Sequence, residues 1–231
     1  MIISVHLPKT AGSSFKILLE KRFEARLLLD YADLPINTPI EVRNQKALAD
    51  AAFNVSRDLR EYDCIHGHFL PVKYMPLKIS GRAIFITWLR DPFARMVSHY
   101  NYWKRTYNPE SSPILQQKFI EENWTFEQFC FSEEMRNFYA QFLWSFPENA
   151  FEFIGITEHF ETDLKFFSRH YLGIEIRDVP RVNEAPAFMI PIKATNKFFL
   201  DRFIDFHSED YRLYKKAINL RIERVTCKKY Y

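Results

Sequence analysis

The first 23 residues constrain the fold of this chain more than any other stretch. Residues 1–5 are apolar and rich in β-branched side chains, which predicts a short buried strand. Apolar residues at helical spacing begin at Phe15 and continue to Phe23. The turn between them, residues 6–14, contains a glycine and two serines. A strand, a tight turn and a helix in this order predict an α/β fold.

The turn has the chemistry of an anion-binding site. Backbone N–H groups at a helix start have no intrahelical partner, and the helix dipole adds partial positive charge there. Gly12 lets the backbone approach a ligand, Ser13 and Ser14 add donors, and Lys9 adds a full charge. Lys9 precedes the glycine, so the turn does not match the Walker pattern. A Ser/Gly helix cap beside a surface lysine is the alternative that this stretch leaves open.

Length and composition predict a single globular domain over residues 1–231. The formal net charge is +3, which is too small to indicate nucleic-acid binding. Attraction for anions must therefore come from local clusters of charge. No apolar run is long enough to cross a bilayer, and a first strand at residue 2 leaves no room for a signal peptide. We therefore expect a cytoplasmic protein.

The three cysteines are far apart in the sequence. Cys64, Cys130 and Cys227 form no C-x-x-C pair, and no histidine lies at zinc-like spacing from them. This pattern predicts mostly buried free thiols in a reducing compartment, with no structural metal.

Strand and helix patterns alternate along the chain. The segment 82–89 is continuous, β-branched and aromatic, as buried parallel strands are. Alternation predicts a P-loop-like three-layer sandwich, in which helices flank a mainly parallel central sheet. The other predicted strands are 25–30, 62–66 and 151–156; the predicted helices are 15–23, 43–60, 92–107, two or three within 114–145, 157–171, 195–206 and 208–225; the predicted loops are 71–80 and 174–193.

A second polar motif follows the strand 82–89. Asp91 and Pro92 predict a capped helix start, and Thr157 predicts another cap after the strand 151–156. Ligands of open parallel sheets bind beyond the carboxyl ends of the strands. Arg90 lies at such an end, and Ser98 lies two helical turns later, so the pair could hold a second phosphate. A strand-to-helix corner with its own salt bridge is the alternative.

The two motifs together resemble those of sulfotransferases that use 3′-phosphoadenosine-5′-phosphosulfate (PAPS). Residues 8–14, PKTAGSS, resemble the 5′-phosphosulfate loop, and residues 90–100, RDPFARMVSHY, resemble the 3′-phosphate motif. Residues 153–160 resemble a later strand-to-helix segment, and the likeness fades after residue 172. The resemblance implies PAPS as cofactor, PAP as product and no metal. The implied cofactor-binding residues are Pro8, Lys9, Thr10, Ala11, Gly12, Ser13, Ser14, Arg90 and Ser98.

Within that family the chain is most similar to the heparan-sulfate and uronyl 2-O-sulfotransferases. The sequence His66-Gly67-His68 resembles the H-G-H segment that contains their catalytic histidine. The likeness implies a carbohydrate or other hydroxyl-bearing acceptor, with His68 as base and Lys9 assisting departure of the leaving group. Two alternatives stay open: His66 as the base, or two buried histidines bonded to loop carbonyls. The Golgi relatives carry a membrane anchor and often disulfides, so a microbial or viral cytosolic enzyme is the expectation here.

The chemistry of the residues supports sulfuryl transfer without the family. An acceptor hydroxyl needs a base whose pKa is near neutrality, which histidine provides. A lysine can stabilise the charge that develops on the leaving phosphate oxygen. The transferred group carries one charge, so no metal is required.

Two rival functions and two weaker sites follow from the same sequence. A P-loop kinase-like phosphotransferase would need a Walker lysine and an acidic Mg²⁺ ligand, and neither is in place. A non-catalytic nucleotide-binding module would keep Arg90 and Ser98 but not need His68. The loop 181–186, with Arg181 and Asn183, is either a cover for PAPS or an ordinary surface loop. The basic residues Arg221, Arg224, Lys228 and Lys229 form either a solvated helix face or a site for an acidic sugar chain.

Overall fold

A five-stranded parallel sheet forms the centre of the computed structural model, which describes residues 1–31, 33, 38–179 and 196–226. The strand order is β2-β3-β1-β4-β5, and all four neighbouring pairs are parallel. The predicted parallel sheet is therefore confirmed. The strands are β1 (Ile2–Val5), β2 (Leu27–Asp30), β3 (Cys64–Gly67), β4 (Ile84–Leu89) and β5 (Phe151–Ile156).

Helices cover both faces of the sheet. Side chains alternate along β4, so Phe85 and Leu89 join one hydrophobic cluster while Ile86 and Trp88 join another on the opposite face. The predicted three-layer architecture is thus confirmed. The helices are α1 (Gly12–Phe23), α2 (Ile40–Asn54), α3 (Met75–Ile79), α4 (Pro92–Thr106), α5 (Ile114–Glu121), α6 (Phe126–Cys130), α7 (Phe138–Phe142), α8 (Phe160–Phe167), α9 (Lys197–Phe206) and α10 (Ser208–Thr226).

Three local predictions were wrong. The predicted loop 71–80 is helical, with a 3₁₀ turn at Pro71–Tyr74 followed directly by α3. Both prolines occupy first-turn positions, where a missing N–H costs nothing. Helix α2 was predicted to span residues 43–60, but it begins at Ile40 and ends at Asn54. Thr157 does not cap α8: it is the first residue of a 3₁₀ turn that precedes this helix, and its buried hydroxyl has no hydrogen-bond partner.

The predicted cap at Asp91 is confirmed, because its carboxylate accepts from the Ala94 N–H at 2.8 Å. Cys64 and Cys130 are buried free thiols, as expected. Cys227 and most of the predicted loop 174–193 lie outside the described residues. Within the part of the chain that the structure describes, every helix is too short or too polar to cross a membrane.

The sheet brings the predicted motifs to one edge. Strand β1 is central, and Val5 at its carboxyl end pairs with Gly67 of β3 and Thr87 of β4. The glycine–serine turn follows β1, the segment around His68 follows β3, and the Arg90 motif follows β4. Segments that are far apart in the sequence are therefore neighbours in space.

Candidate active site

The turn after β1 has an unusual backbone. Lys9 and Ala11 both adopt the left-handed conformation, with φ of 70° and 64°. For residues with a Cβ this conformation costs about 1–2 kcal/mol each. Left-handed residues within a turn aim backbone N–H groups toward one side, which forms a concave anion site. The turn thus keeps a strained backbone in the arrangement that an anion needs.

Helix α1 leaves its amino terminus open to a ligand. Its N-cap residue, Ala11, makes no side-chain capping bond, and the first turn contains no acidic residue. The helix dipole therefore faces the turn without competition from an acidic residue of the first helical turn.

The two predicted motifs line one cleft of about 210 Å³. Arg90 and Ser98 of the second motif line the same cleft as the glycine–serine turn, although more than 70 residues separate the motifs. The predicted residues that line the cleft are Lys9, Ala11, Gly12, Ser13, Ser14, Arg90 and Ser98, and His6 and Thr157 complete the lining.

The cleft carries positive charge that is not neutralised. Among the described residues, no carboxylate forms an ion pair with the Lys9 ammonium or the Arg90 guanidinium. Burial, together with the charges of Arg105 and Arg90, lowers the pKa of Lys9 to about 8. Such a site attracts an anion, because binding relieves the repulsion between its cations.

Tyr139 of α7 holds the backbone of Arg90. The tyrosine hydroxyl donates to the Arg90 carbonyl at 2.6 Å and accepts from the Arg90 N–H at 3.1 Å. Tyr139 is fully buried, and the Asp210 carboxylate in turn accepts from its N–H at 2.8 Å. Arg90 therefore enters the cleft from a fixed backbone position.

The hydrogen bond of His68 determines its tautomer. Nδ1 of His68 lies 2.6 Å from the carbonyl oxygen of His6. A carbonyl only accepts, so Nδ1 donates and the neutral ring keeps a lone pair on Nε2. Burial lowers the pKa of His68 below its ordinary value of 6.5, and the bond to His6 partly offsets this. His68 does not line the cleft itself, but its ring stacks on that of His6, which does, at 4.3 Å.

His66 occupies a different environment. It is 1% exposed, its Nδ1 lies 2.8 Å from the Ser4 hydroxyl, and its Nε2 has no partner. Burial lowers the pKa of His66 to about 3, so the ring stays neutral. Its surroundings are those of a core residue, although its partner is the Ser4 hydroxyl and not a loop carbonyl, the bond that the alternative of two buried histidines predicted.

Several predicted residues do not reach the cleft. Pro8 and Thr10 are absent from its lining, and the buried Thr10 hydroxyl donates to the Leu7 carbonyl at 2.7 Å within the turn. Arg221 and Arg224 pair with Asp163 at 2.8 and 3.1 Å, so they join α10 to α8 instead of forming a solvated face. Arg181, Asn183, Lys228 and Lys229 lie outside the described residues.

The sequence analysis missed four residues at or beside the cleft. His6 and Thr157 line it, while Tyr102 and Arg105 lie next to Lys9. Spacing could have indicated the last two, since they follow Ser98 at i+4 and i+7 on one helix face. No such signal exists for His6, whose position depends on packing between β1 and β3.

Comparisons with known proteins give similarity in structure only. No protein-family model and no curated protein matches the chain. The crystal structure of a sulfotransferase from Alicyclobacillus acidocaldarius has 15% identity and a TM-score of 0.47, covering 94% of each chain. Mouse sulfotransferase SULT7A1 complexed with PAP has 14% identity and a TM-score of 0.48, covering 98% of this chain and 88% of that one. Both TM-scores are below 0.5, so the function proposed below rests on the cleft residues.

Proposed function

We propose that this protein is a PAPS-dependent sulfotransferase that transfers a sulfuryl group to a hydroxyl of an acceptor. The observation that carries the proposal is the shared cleft, which is lined both by the glycine–serine turn with Lys9 and by Arg90 and Ser98. Two cation-bearing segments on one cleft suit a ligand with two separate phosphate groups.

Each end of the cofactor has its own set of residues in this proposal. The backbone N–H groups at Ala11 and Gly12, the hydroxyl of Ser13 or Ser14, and Lys9 hold the 5′-phosphosulfate. The Arg90 guanidinium and the Ser98 hydroxyl hold the 3′-phosphate and so select PAPS over ATP. Pro8 and Thr10 shape the turn instead of contacting the ligand.

His68 is the base in the proposed reaction. Its Nε2 takes the proton of the acceptor hydroxyl while the acceptor oxygen bonds to sulfur. The bond between sulfur and the 5′-phosphate oxygen breaks, and Lys9 stabilises the charge left on that oxygen. The tautomer fixed by His6 supports this role, because it leaves Nε2 unprotonated. The resemblance of residues 66–68 to the 2-O-sulfotransferases supports a carbohydrate acceptor.

Calorimetry with PAP, PAPS and ATP tests the proposal. We expect PAP to bind more tightly than ATP, and Arg90→Ala to weaken PAP about tenfold to a hundredfold, as loss of a charged hydrogen bond does. Arg82→Ala is the matched control, because Arg82 is exposed at the opposite end of β4. Equal affinity for ATP and PAP would favour the kinase-like rival and contradict the proposal.

A transfer assay separates the enzyme from a binding module. Labelled PAPS is incubated with a panel of sugars and other hydroxyl-bearing acceptors, and the labelled product is counted. We expect transfer that depends on His68. PAP binding without transfer to any acceptor would favour the non-catalytic nucleotide-binding module.

A further inference from the structure

Helix α4 continues beyond the cleft with a stripe of functional side chains. Ser98 lines the cleft, and Tyr102 and Arg105 follow it at i+4 and i+7, so all three lie on one helix face. Tyr102 is 40% exposed, so the core does not hold its ring in place. An exposed tyrosine beside an anion site needs a reason other than packing.

The partner of this ring is Lys9. The Lys9 ammonium lies 3.9 Å from the centroid of the Tyr102 ring, which is a close cation–π contact. The Arg105 guanidinium lies 6.0 Å from the same centroid. Since no ion pair joins Lys9 to a carboxylate among the described residues, the Tyr102 ring is the contact that the structure shows for its charge.

An ammonium group in a fixed position suits the role proposed for Lys9, which is to bind the 5′ anionic group of the ligand. A lysine side chain has many rotamers, and fixing it for a ligand costs conformational entropy. If a ring already holds the ammonium at the cleft, the side chain loses less conformational entropy when the ligand binds. Burial and the repulsion from Arg105 and Arg90 both lower the pKa of Lys9, so a contact that stabilises the charged ammonium favours anion binding.

We propose that Tyr102 is the positioning residue for Lys9: its ring holds the ammonium at the cleft, ready for the 5′ anionic group of the ligand. Tyr102 acts through Lys9 and need not touch the reacting atoms. This inference rests on the proposed function only for the identity of the ligand.

A double-mutant cycle on Lys9 and Tyr102 tests the inference, with PAP affinity as the readout. We expect Tyr102→Leu to weaken PAP binding about threefold to tenfold, the range of a partly exposed cation–π contact. Tyr102→Phe keeps the ring and should retain the affinity. In a Lys9→Met background, Tyr102→Leu should have no further effect, since the partner is gone. Tyr107→Leu, at the end of the same helix, is the matched control.

A second anion keeps the test independent of the proposed function. The turn geometry alone predicts that pyrophosphate binds, so the same cycle is repeated with that probe. Pyrophosphate binding without PAP binding would contradict the proposed function while the cycle still decides the role of Tyr102. The inference would be overturned if Tyr102→Leu lowered the affinity equally with and without Lys9. It would also be overturned if Tyr102→Phe lowered the affinity as much as Tyr102→Leu.

Discussion

The ring of His6 occupies the space that a side chain on Gly12 would need. A Cβ built on Gly12 would lie 1.6 Å from His6 Nε2. The ring cannot easily move aside, because its Nδ1 lies 3.1 Å from the Tyr31 hydroxyl and it stacks between His66 and His68 at 5.0 and 4.3 Å. The position of the His6 ring therefore requires a glycine at residue 12, whatever the turn binds.

Gly12→Ala should consequently destabilise the protein by about 1–3 kcal/mol through overpacking. The combination with His6→Ala should recover part of that loss, since the smaller residue makes room for the new methyl group. Urea denaturation of both single variants and the double variant measures the coupling. Strictly additive losses would show that the two residues do not compete for this space.

Tyr139→Phe should lower both stability and cofactor affinity. The change leaves the Arg90 carbonyl and N–H without their shared partner, which costs about 1–3 kcal/mol. A looser Arg90 backbone should also weaken PAP severalfold in calorimetry. Tyr171→Phe is the control, because its exposed hydroxyl donates to the Glu152 carbonyl away from the cleft. Unchanged PAP affinity in Tyr139→Phe would mean that Arg90 needs no such support.

Protonation of His68 should determine how turnover falls at low pH. The neutral ring is the active form, and its pKa is lowered below 6.5, so turnover should fall only as the pH drops below 6.5. His68→Ala should lower turnover about a hundredfold to ten-thousandfold without changing PAP affinity. The exposed His159, changed to Ala, is the control. Loss of PAP affinity with turnover retained would contradict the role of His68 as base.

Lys9 should set the alkaline limb of kcat/KM for PAPS. Its pKa is about 8, and the charged ammonium is the form that attracts the anion, so kcat/KM should fall as the pH rises through 8. Lys9→Arg should remove this limb, because a guanidinium stays charged throughout the range. Lys9→Met should bind PAPS more weakly than the unchanged protein, and to the same extent at every pH. An alkaline limb that persists unchanged in Lys9→Arg would assign it to another group.

Local patterns predicted the elements around the site well. The strand at residues 2–5, the helix after Gly12 and the cap at Asp91 depend on residues within one or two turns of each other. The segment 71–80 shows the limit of such reasoning. Its prolines indicate a loop when they are counted as helix breakers, yet they are compatible with first-turn positions.

For the candidate site, too, the sequence predicted some features, while others depend on tertiary packing. The cleft includes Lys9 and Arg90 as predicted, because parallel strands deliver their carboxyl ends to one edge. The environments of His66 and His68 differ although the two residues are nearly adjacent, and no sequence pattern distinguishes them. His66 points into the core beside Ser4, whereas His68 reaches a carbonyl of the neighbouring strand's loop.

The sequence alone determined the strand–turn–helix at the start of the chain and the parallel α/β architecture, and it located the two polar motifs for which we predict anion binding. It could do so because these features depend on the hydrophobic period, glycine and serine chemistry, and charge over short spans. Only the tertiary structure decided that His6 lies against Gly12, that Tyr139 holds Arg90 and that Tyr102 holds Lys9. Each of these contacts joins residues from different parts of the fold, and their distances depend on how the whole chain packs.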